Sequence, residues 1–158
     1  MAASPAILPA EERDLPAILD LIHRAYAANV AMGFRYSGAT ETFDSLAQAW
    51  REDKVYKLVA DGAIAGTIRL TPHDGYLGVW RLCVDPALQR RGLGTALLRF
   101  AEEEAARLGL ARVRLDTAKP FRDLVDWYRR RGYEVVAEVR YPQVNYPSLV
   151  MEKRVERT

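Results

Sequence analysis

The amino-acid sequence predicts an α/β (α+β) fold in which a central, mixed, mostly antiparallel sheet of about seven strands is flanked by about four helices. Two observations predict this class. Three consecutive strand-like segments are joined by short turns, which makes them antiparallel neighbours. A strand, a helix of about sixteen residues and another strand follow, and such a unit is parallel and right-handed. The parallel pair should therefore lie in the middle of the sheet.

The first third of the chain predicts one strand and two helices. Residues 5–8 form a short edge strand in this prediction, and Asp14 caps a helix that has Pro16 in its first turn. The helix buries a stripe of residues at three- and four-residue spacing, namely Leu15, Ile18, Leu19, Ile22 and Tyr26. His23 lies off this stripe and is expected to be solvated. A second helix is predicted at about residues 42–52.

The middle of the chain predicts the three antiparallel strands. Residues 54–60 and 63–70 are separated by an Asp-Gly pair, which supports a tight hairpin turn. A second turn, "TPHDG", leads into a strand at residues 76–84. The hairpins place these three strands side by side.

The last third completes the sheet. A helix of which one face is apolar begins near Leu93 and ends at Gly109, and a strand at residues 111–117 follows it. A further helix is predicted at residues 121–131, ending at Gly132. The last two strands are predicted at residues 133–140 and 148–155.

The size and composition of the chain are those of an ordinary globular protein. Its 158 residues fall within the usual range of one domain, and we predict a single domain over residues 1–158. Apolar residues make up 49% and charged residues 28%, which excludes disorder as the main state. The formal net charge is only +2 and the basic residues are spread along the chain, so we do not expect nucleic acid as a partner.

Cysteine usage and the apolar pattern indicate where the protein works. Cys83 is the only cysteine, which excludes an intramolecular disulfide and a zinc site built on paired thiols. The amino-terminal residues lack a signal-peptide pattern, and no stretch approaches about eighteen uninterrupted apolar residues. We therefore expect a cytoplasmic protein without a membrane segment.

The sequence "QRRGLG" at residues 89–94 joins the third antiparallel strand to the next helix. Ligands bind at the carboxyl ends of such strands, where the helix presents unpaired N–H groups and the positive end of its dipole. Gly92 and Gly94 permit a close backbone approach, and Arg90 and Arg91 add positive charge. A phosphate-like anion would suit this site, although the motif by itself fits a tight turn equally well. Leu97 replaces the third glycine of a dinucleotide fingerprint, and no Gly-Lys-Ser/Thr ending is present.

Two longer segments resemble one known family. The run "RLCVDPALQRRGLGTALL" resembles the acetyl-coenzyme A (acetyl-CoA) signature of the GNAT superfamily of N-acetyltransferases, written Gln/Arg-x-x-Gly-x-Gly/Ala, with Gln89, Gly92 and Gly94 at its fixed positions. The run "FRDLVDWYRRRGYEVV" resembles a later helix of that family. Four residues match it in order and spacing, namely Trp127, Tyr128, Gly132 and Tyr133. The predicted order of strands and helices is also that of the family.

The resemblance implies that acetyl-CoA is the co-substrate and that no metal is needed. In the family, backbone N–H groups of the signature loop hold the pyrophosphate, and here these belong to Arg90, Arg91, Gly92, Leu93, Gly94 and Thr95. The pantetheine arm pairs with the splayed end of the preceding strand, which here is Leu82, Cys83 and Val84. Cys83 would supply backbone and not a nucleophile. Asp123 stands where relatives often carry an asparagine that touches the cofactor, so that contact is open.

The resemblance also implies an acyltransferase reaction in which an amine attacks the thioester directly. Tyr128 matches the tyrosine that in many relatives protonates the departing thiolate; the alternative is a packing role or a hydrogen bond to the sulfur. Many relatives carry a glutamate as general base where this chain has Gly78. Four other residues are nominal candidates, namely Glu41, Asp44, His73 and Asp74, with His73 more readily understood as a turn residue. Alternatively, a weakly basic acceptor with a pKa of roughly 7.7 to 8 needs little help from a base.

The acceptor remains the open question. In the family it is selected by the connection of the first two helices and by the loop before the last strand. Aromatic and amide groups occur in both segments, namely Phe34, Tyr36, Tyr141, Asn145 and Tyr146. These could form a lip for a small polar amine, or they could simply close the ends of the sheet. We predict a small-molecule amine. The alternatives are a protein amino terminus or lysine and, because the glutamate is missing, a non-catalytic acyl-CoA sensor. Pairing of two chains as a homodimer through the last strands is common in such folds.

Overall fold

The strands and helices follow the predicted order. The computed structural model describes residues 5–31, 40–52, 54–89 and 91–156. Within these residues the strands are β1 (Ala6–Pro9), β2 (Lys54–Ala60), β3 (Ala63–His73), β4 (Tyr76–Val84), β5 (Arg112–Ala118), β6 (Glu134–Val139) and β7 (Ser148–Arg154). The α-helices are α1 (Leu15–Ala31), α2 (Phe43–Glu52), α3 (Leu93–Arg107) and α4 (Arg122–Arg130).

The strands form one mixed sheet in the order β1-β2-β3-β4-β5-β7-β6. β4 and β5, which α3 connects, are parallel, and the other neighbouring pairs are antiparallel. The two hairpin turns contain Gly62 and Gly75, which have φ values of 78° and 85°. Such positive values are readily adopted only by glycine, which explains the Asp-Gly pairs of the sequence. The predicted fold class is confirmed.

The parallel strands separate part of the way along the sheet. Their pairing extends only from Tyr76 opposite Arg112 to Gly78 opposite Arg114. Further along, β4 contains a β-bulge, because the register against β3 shifts between the pairs Arg69–Trp80 and Thr67–Cys83. Bulges bend a strand and increase its twist, so β4 turns away from β5. Among the described residues, the pairing of β4 with β5 therefore ends at Gly78.

Helices cover both faces of the sheet. On one face α3 and α4 contribute to the larger apolar core, which includes the fully buried Leu97. On the other face α1 and α2 form a second core with Leu15, Ile18 and Leu46. Side chains alternate along β4, so Leu82 and Val84 pack on the first core whereas Cys83 packs in the second. None of the helices in the described residues is long and apolar enough to cross a membrane.

One of the two histidines differs from expectation. His73 was expected in the turn "TPHDG", but it is the last residue of β3 and pairs with Tyr76, because the turn needs only Asp74 and Gly75. His23 is exposed, as expected, and its Nε2 also donates a hydrogen bond of 2.6 Å to the backbone oxygen of Glu41. This bond joins α1 to a residue two positions before the start of α2.

Replacement of Leu97 by alanine should strongly destabilise the protein. Leu97 is fully buried between α3 and the sheet, so Leu97→Ala loses apolar burial and leaves a cavity, at a cost of about 2 to 5 kcal/mol in the free energy of unfolding. The matched change Leu108→Ala, at an exposed leucine just after the same helix, should cost less than about 1 kcal/mol. Urea denaturation of both variants measures the difference. Equal costs would contradict the assigned core.

Candidate active site

The separation of β4 from β5 opens a cleft of about 800 Å³. Its walls come from the second half of β4, the end of β5, the start of α4 and the loop before β7. α1 also contributes through Ala25 and Tyr26. The cleft lies at the carboxyl ends of the parallel pair, which is where folds of this kind bind ligands.

Many predicted site residues lie together in this cleft. Those that line it are Leu82, Cys83, Val84, Gln89, Asp123, Tyr128, Tyr141 and Tyr146. Asn145 lies in the same loop as Tyr146 but does not line the cleft. The residues at the start of α3 do not line it either, namely Arg91, Gly92, Leu93, Gly94 and Thr95. Three predicted residues, Phe34, Tyr36 and Arg90, lie outside the described residues.

The start of α3 has the geometry of an anion site. Gly92 caps the helix with a φ of 77°, a conformation that favours glycine, and no side chain caps the helix there. The first N–H groups of an α-helix lack intrahelical partners and carry the positive end of its dipole. A Cβ on Gly94 would lie 3.5 Å from the Trp127 ring, so α4 packs directly on this turn. Arg91 is exposed, and its Nη1 lies 3.7 Å from Asp61 Oδ2.

Arg131, the residue just after α4, contacts the side chain of Thr95. Arg131 lies over the ring of Trp127 at 3.8 Å, and its Nε donates to Thr95 Oγ1 at 3.1 Å. A second nitrogen of Arg131 donates to the backbone oxygen of Trp127. These contacts fix the start of α3 relative to the helix that carries Tyr128.

Tyr128 and Cys83 both line the cleft and interact electrostatically. Burial raises the pKa of the Tyr128 phenol, and the neighbouring Cys83 raises it further, so the phenol is protonated at neutral pH. Burial also raises the pKa of Cys83 to about 11, although a hydrogen bond from Tyr26 acts in the opposite direction. The thiolate is the nucleophilic form of cysteine, so Cys83 is a weak nucleophile at neutral pH.

The position of the missing glutamate is filled by other side chains. A Cβ on Gly78 would lie 3.2 Å from the indole nitrogen of Trp80 and 3.4 Å from the imidazole of His73. His73 stacks on Tyr76 and lines a second cavity of about 180 Å³, which shares residues of its wall with the cleft. None of the four nominal bases is among the described residues that line the cleft, and His73 lines only the smaller cavity.

The other three nominal bases are poorly placed. Glu41 is buried and accepts hydrogen bonds from Ser45 and Arg69. Burial alone would raise the pKa of Glu41, but these bonds and the charges of Arg69 and Arg81 outweigh it and leave the pKa below its usual value. A carboxylate held in this way is a poor proton acceptor. Asp44 and Asp74 do not line the cleft.

Asp116 is a site residue that the sequence analysis missed. It lies on β5 beyond Arg114, the last residue paired with β4, and it lines both cavities. Its Oδ2 accepts a hydrogen bond of 2.6 Å from the hydroxyl of Tyr141, and this bond is the main cause that raises the Tyr141 pKa to about 12. A carboxylate near the end of a strand in a β-α-β unit was a signal that could have identified it. In the described residues no group of three or more His, Cys, Asp or Glu side chains could hold a metal ion.

Comparisons with known proteins agree with this geometry. The model of the acetyltransferase (GNAT) family matches residues 16–133. The S-(2-succino)cysteine N-acetyltransferase of Bacillus subtilis (strain 168) is 35% identical over 133 residues, which cover 78% of this chain and 81% of the relative. The S-alkylcysteine N-acetyltransferase of the same strain is 27% identical over 135 residues, which cover 79% of this chain and 76% of the relative.

A solved structure shows the same fold. The PaiA N-acetyltransferase of Thermoplasma acidophilum, in complex with coenzyme A, superposes with a TM-score of 0.78 at 18% identity, covering 96% of this chain and 99% of that chain. The family match extends over most of the chain, from α1 to the residue before β6. Together with the relative at 35% identity, it shows that the chain belongs to the GNAT family of acetyltransferases.

Proposed function

We propose that the protein transfers the acetyl group of acetyl-CoA to the α-amine of a small amino acid, a cysteine whose sulfur carries a substituent. One observation supports the reaction type: a single cleft is lined by the end of β4 beyond its pairing with β5, by the phenol of Tyr128 and by the carboxylate of Asp116. The names of the two Bacillus relatives support the class of acceptor, because both act on S-substituted cysteines.

The residues at the cleft fit acetyl-CoA. Within the part of the chain that the structure describes, residues 82–84 form no ladder with β5, so their backbone is available to an amide-rich ligand. Gly92 and the first turn of α3 offer N–H groups suited to a pyrophosphate. When bound, acetyl-CoA supplies an acetyl group activated as a thioester, and its transfer to the amine forms a C–N bond, breaks the C–S bond and leaves a free thiol.

Tyr128 is the proposed proton donor to the departing sulfur. Its phenol is buried, and the raised pKa keeps it protonated over the physiological range. Edge-to-face contacts with Trp127 and Tyr133 hold the ring in place. A proton held at a fixed position can stabilise negative charge on a leaving sulfur as that charge develops.

Asp116 is the proposed proton acceptor for the attacking amine. Its side chain is exposed to the cleft, and Tyr141 binds one of its two carboxylate oxygens. The other oxygen can receive the amine proton directly or through one water molecule. In this proposal Asp116 takes the role of general base, which Gly78 cannot fill because it has no side chain.

The wall around Asp116 suits a small amine with some apolar surface. Trp80, Tyr141 and Tyr146 present aromatic rings there, and Trp80 is half exposed. An aliphatic thioether can pack on such rings while the amine reaches Asp116. The competing functions are acetylation of a protein and non-catalytic sensing of acyl-CoA. A screen of acceptor amines separates them from the proposed function.

A screen of acceptor amines tests the proposal. Free-thiol release from acetyl-CoA should be fastest with S-methylcysteine or S-(2-succino)cysteine, and clearly slower with a peptide amino terminus or with the side chain of lysine. Acetyl-CoA at about one hundred times its dissociation constant should stabilise the protein by about 2.7 kcal/mol in a thermal-shift assay. A faster reaction with peptides would favour the protein acetyltransferase. A thermal shift without thiol release for any amine would favour the sensor.

The Tyr128→Phe substitution should lower kcat by about 10- to 1000-fold, because proton transfer to the sulfur is lost. The dissociation constant of acetyl-CoA should change by less than about threefold, since the ring and its packing remain. Tyr56→Phe is the matched control, because Tyr56 is also buried but packs against Phe100 outside the cleft. Steady-state kinetics and calorimetry measure the two effects. An unchanged kcat would exclude Tyr128 as the acid.

The Asp116→Asn substitution should lower kcat/KM at neutral pH by about 100-fold or more, because an amide cannot accept the amine proton. The loss should shrink as the pH rises above the pKa of the acceptor amine, which then reaches the cleft already deprotonated. Profiles of kcat/KM against pH measure this. Asp126→Asn is the control, since Asp126 is exposed on α4 and does not line the cleft. A constant loss at every pH would point to a structural role for Asp116.

A further inference from the structure

A cluster of charged side chains borders the cleft on the side of β3 and β4. Glu41 accepts hydrogen bonds from Arg69 and Ser45, and the Nε of Arg81 lies 3.5 Å from Glu41 Oε1. The side chains of Glu41 and Arg69 are almost fully buried, whereas that of Arg81 is 19% exposed and lines the cleft. One carboxylate is thus shared by two guanidinium groups. The cluster carries a net positive charge, and Arg81 is the member that reaches the cleft.

The backbone of Arg81 is in an unusual conformation. Its φ is 50°, in the left-handed region that residues with a side chain seldom adopt outside turns. Arg81 lies within the bulge of β4, where the register against β3 shifts. Residues held in such conformations occur preferentially at functional sites, where the surrounding structure maintains them. The bulge thus places a guanidinium at the cleft wall.

The charge of Arg81 acts on several cleft residues. Burial raises the pKa values of Tyr26, Cys83 and Tyr146, and the positive charge of Arg81 opposes that increase in all three. Two of them, Tyr26 and Cys83, interact in turn with Tyr128. Arg81 therefore lies close to the region where we place the reacting groups.

We propose that Arg81 binds the α-carboxylate of the acceptor, and that Glu41 and Arg69 position its guanidinium. This proposal rests on the proposed function and deepens it. An arginine fork matches a carboxylate in shape and charge. It restricts the acceptor to free amino acids, because the amine of a peptide amino terminus has a neutral amide in place of the α-carboxylate.

Arg81 suits this role better than the other cations near the cleft. Arg122 lines the cleft but is exposed at the start of α4, where water weakens a contact between charges. Arg114 lines only the smaller cavity, where it covers the ring of Tyr76 and is paired with Glu152. Arg81 is more deeply buried than either, and a contact between charges is stronger there.

Two acceptors that differ only at the carboxylate test the proposal. Kinetics with S-methylcysteine and with S-methylcysteine amide are compared in the wild type and in Arg81→Gln. Arg81→Gln should raise the KM for S-methylcysteine by about 10- to 100-fold, which corresponds to the loss of one charge-assisted hydrogen bond. The KM for S-methylcysteine amide should rise by less than about threefold, because the amide has no carboxylate to lose this bond. Because each acceptor is compared with itself across the variants, the difference in basicity between the two amines cancels.

Three further variants of the protein complete the test. Arg81→Lys should recover part of the loss, since lysine keeps the charge but not the fork. Arg107→Gln removes an exposed arginine that pairs with Glu104 at the end of α3 and should leave both KM values unchanged. Arg81→Asn replaces the glutamine variant if the latter does not fold, because asparagine tolerates the left-handed backbone.

The outcomes separate this proposal from the proposed function. An equal rise of both KM values, or a weaker affinity for acetyl-CoA with unchanged acceptor KM, overturns the role of Arg81. If other free amino acids are acetylated but S-substituted cysteines are not, the proposed acceptor is wrong. In that case, the same comparison with the best amino acid and its amide still tests whether Arg81 binds the α-carboxylate. If only amines without a carboxylate react, both proposals fail.

Discussion

The separation of β4 from β5 beyond Gly78 is the constraint on which the site depends. A continuous parallel pair would use the backbone of residues 82–84 within the sheet and leave no gap for a ligand. The bulge at Arg81 sets the direction of β4 after the separation. Through the gap, Tyr26 from one face of the sheet and Tyr128 from the other reach the same cleft. Side chains that a closed sheet would keep apart are thereby brought together around Cys83.

The buried ion pairs beside the bulge connect the helices to the separated strand. Glu41 lies just before α2, and it contacts Arg69 on β3 and Arg81 on β4. Removing charges from water is costly, so such a cluster adds little net stability, but its contacts connect α2, β3 and β4 at one point. The bond from His23 to the backbone of Glu41 ties α1 to the same point. The left-handed conformation of Arg81, which costs roughly 1 to 3 kcal/mol, is thus held by contacts from several elements.

Local signals made the fold and the glycine-capped turn into α3 predictable. Asp-Gly pairs mark both hairpins, and the spacing of Gln89, Gly92 and Gly94 marks the turn into α3. The roles of His73, Glu41 and Asp116 depend on strand register and on contacts between residues far apart in sequence. The resemblance to the family implied that the parallel strands splay apart, but a single sequence does not show that their pairing ends two residues before Asp116, nor that Glu41 is buried between two arginines. The proposed cofactor end of the cleft comes from one short segment of the sequence, whereas the proposed acceptor end is assembled from several distant segments.

This division implies that the two ends of the cleft can change independently. The groups proposed to hold acetyl-CoA belong to one stretch of chain, the end of β4 and the start of α3. The proposed acceptor wall combines residues of α1, the bulge in β4, the end of β5 and the loop before β7. A substitution at Tyr146 or Trp80 alters the acceptor wall and leaves the backbone geometry at Gly92 unchanged. Such an arrangement permits many different amines to be acetylated on one scaffold, provided that the separated strands and the proton donor are retained.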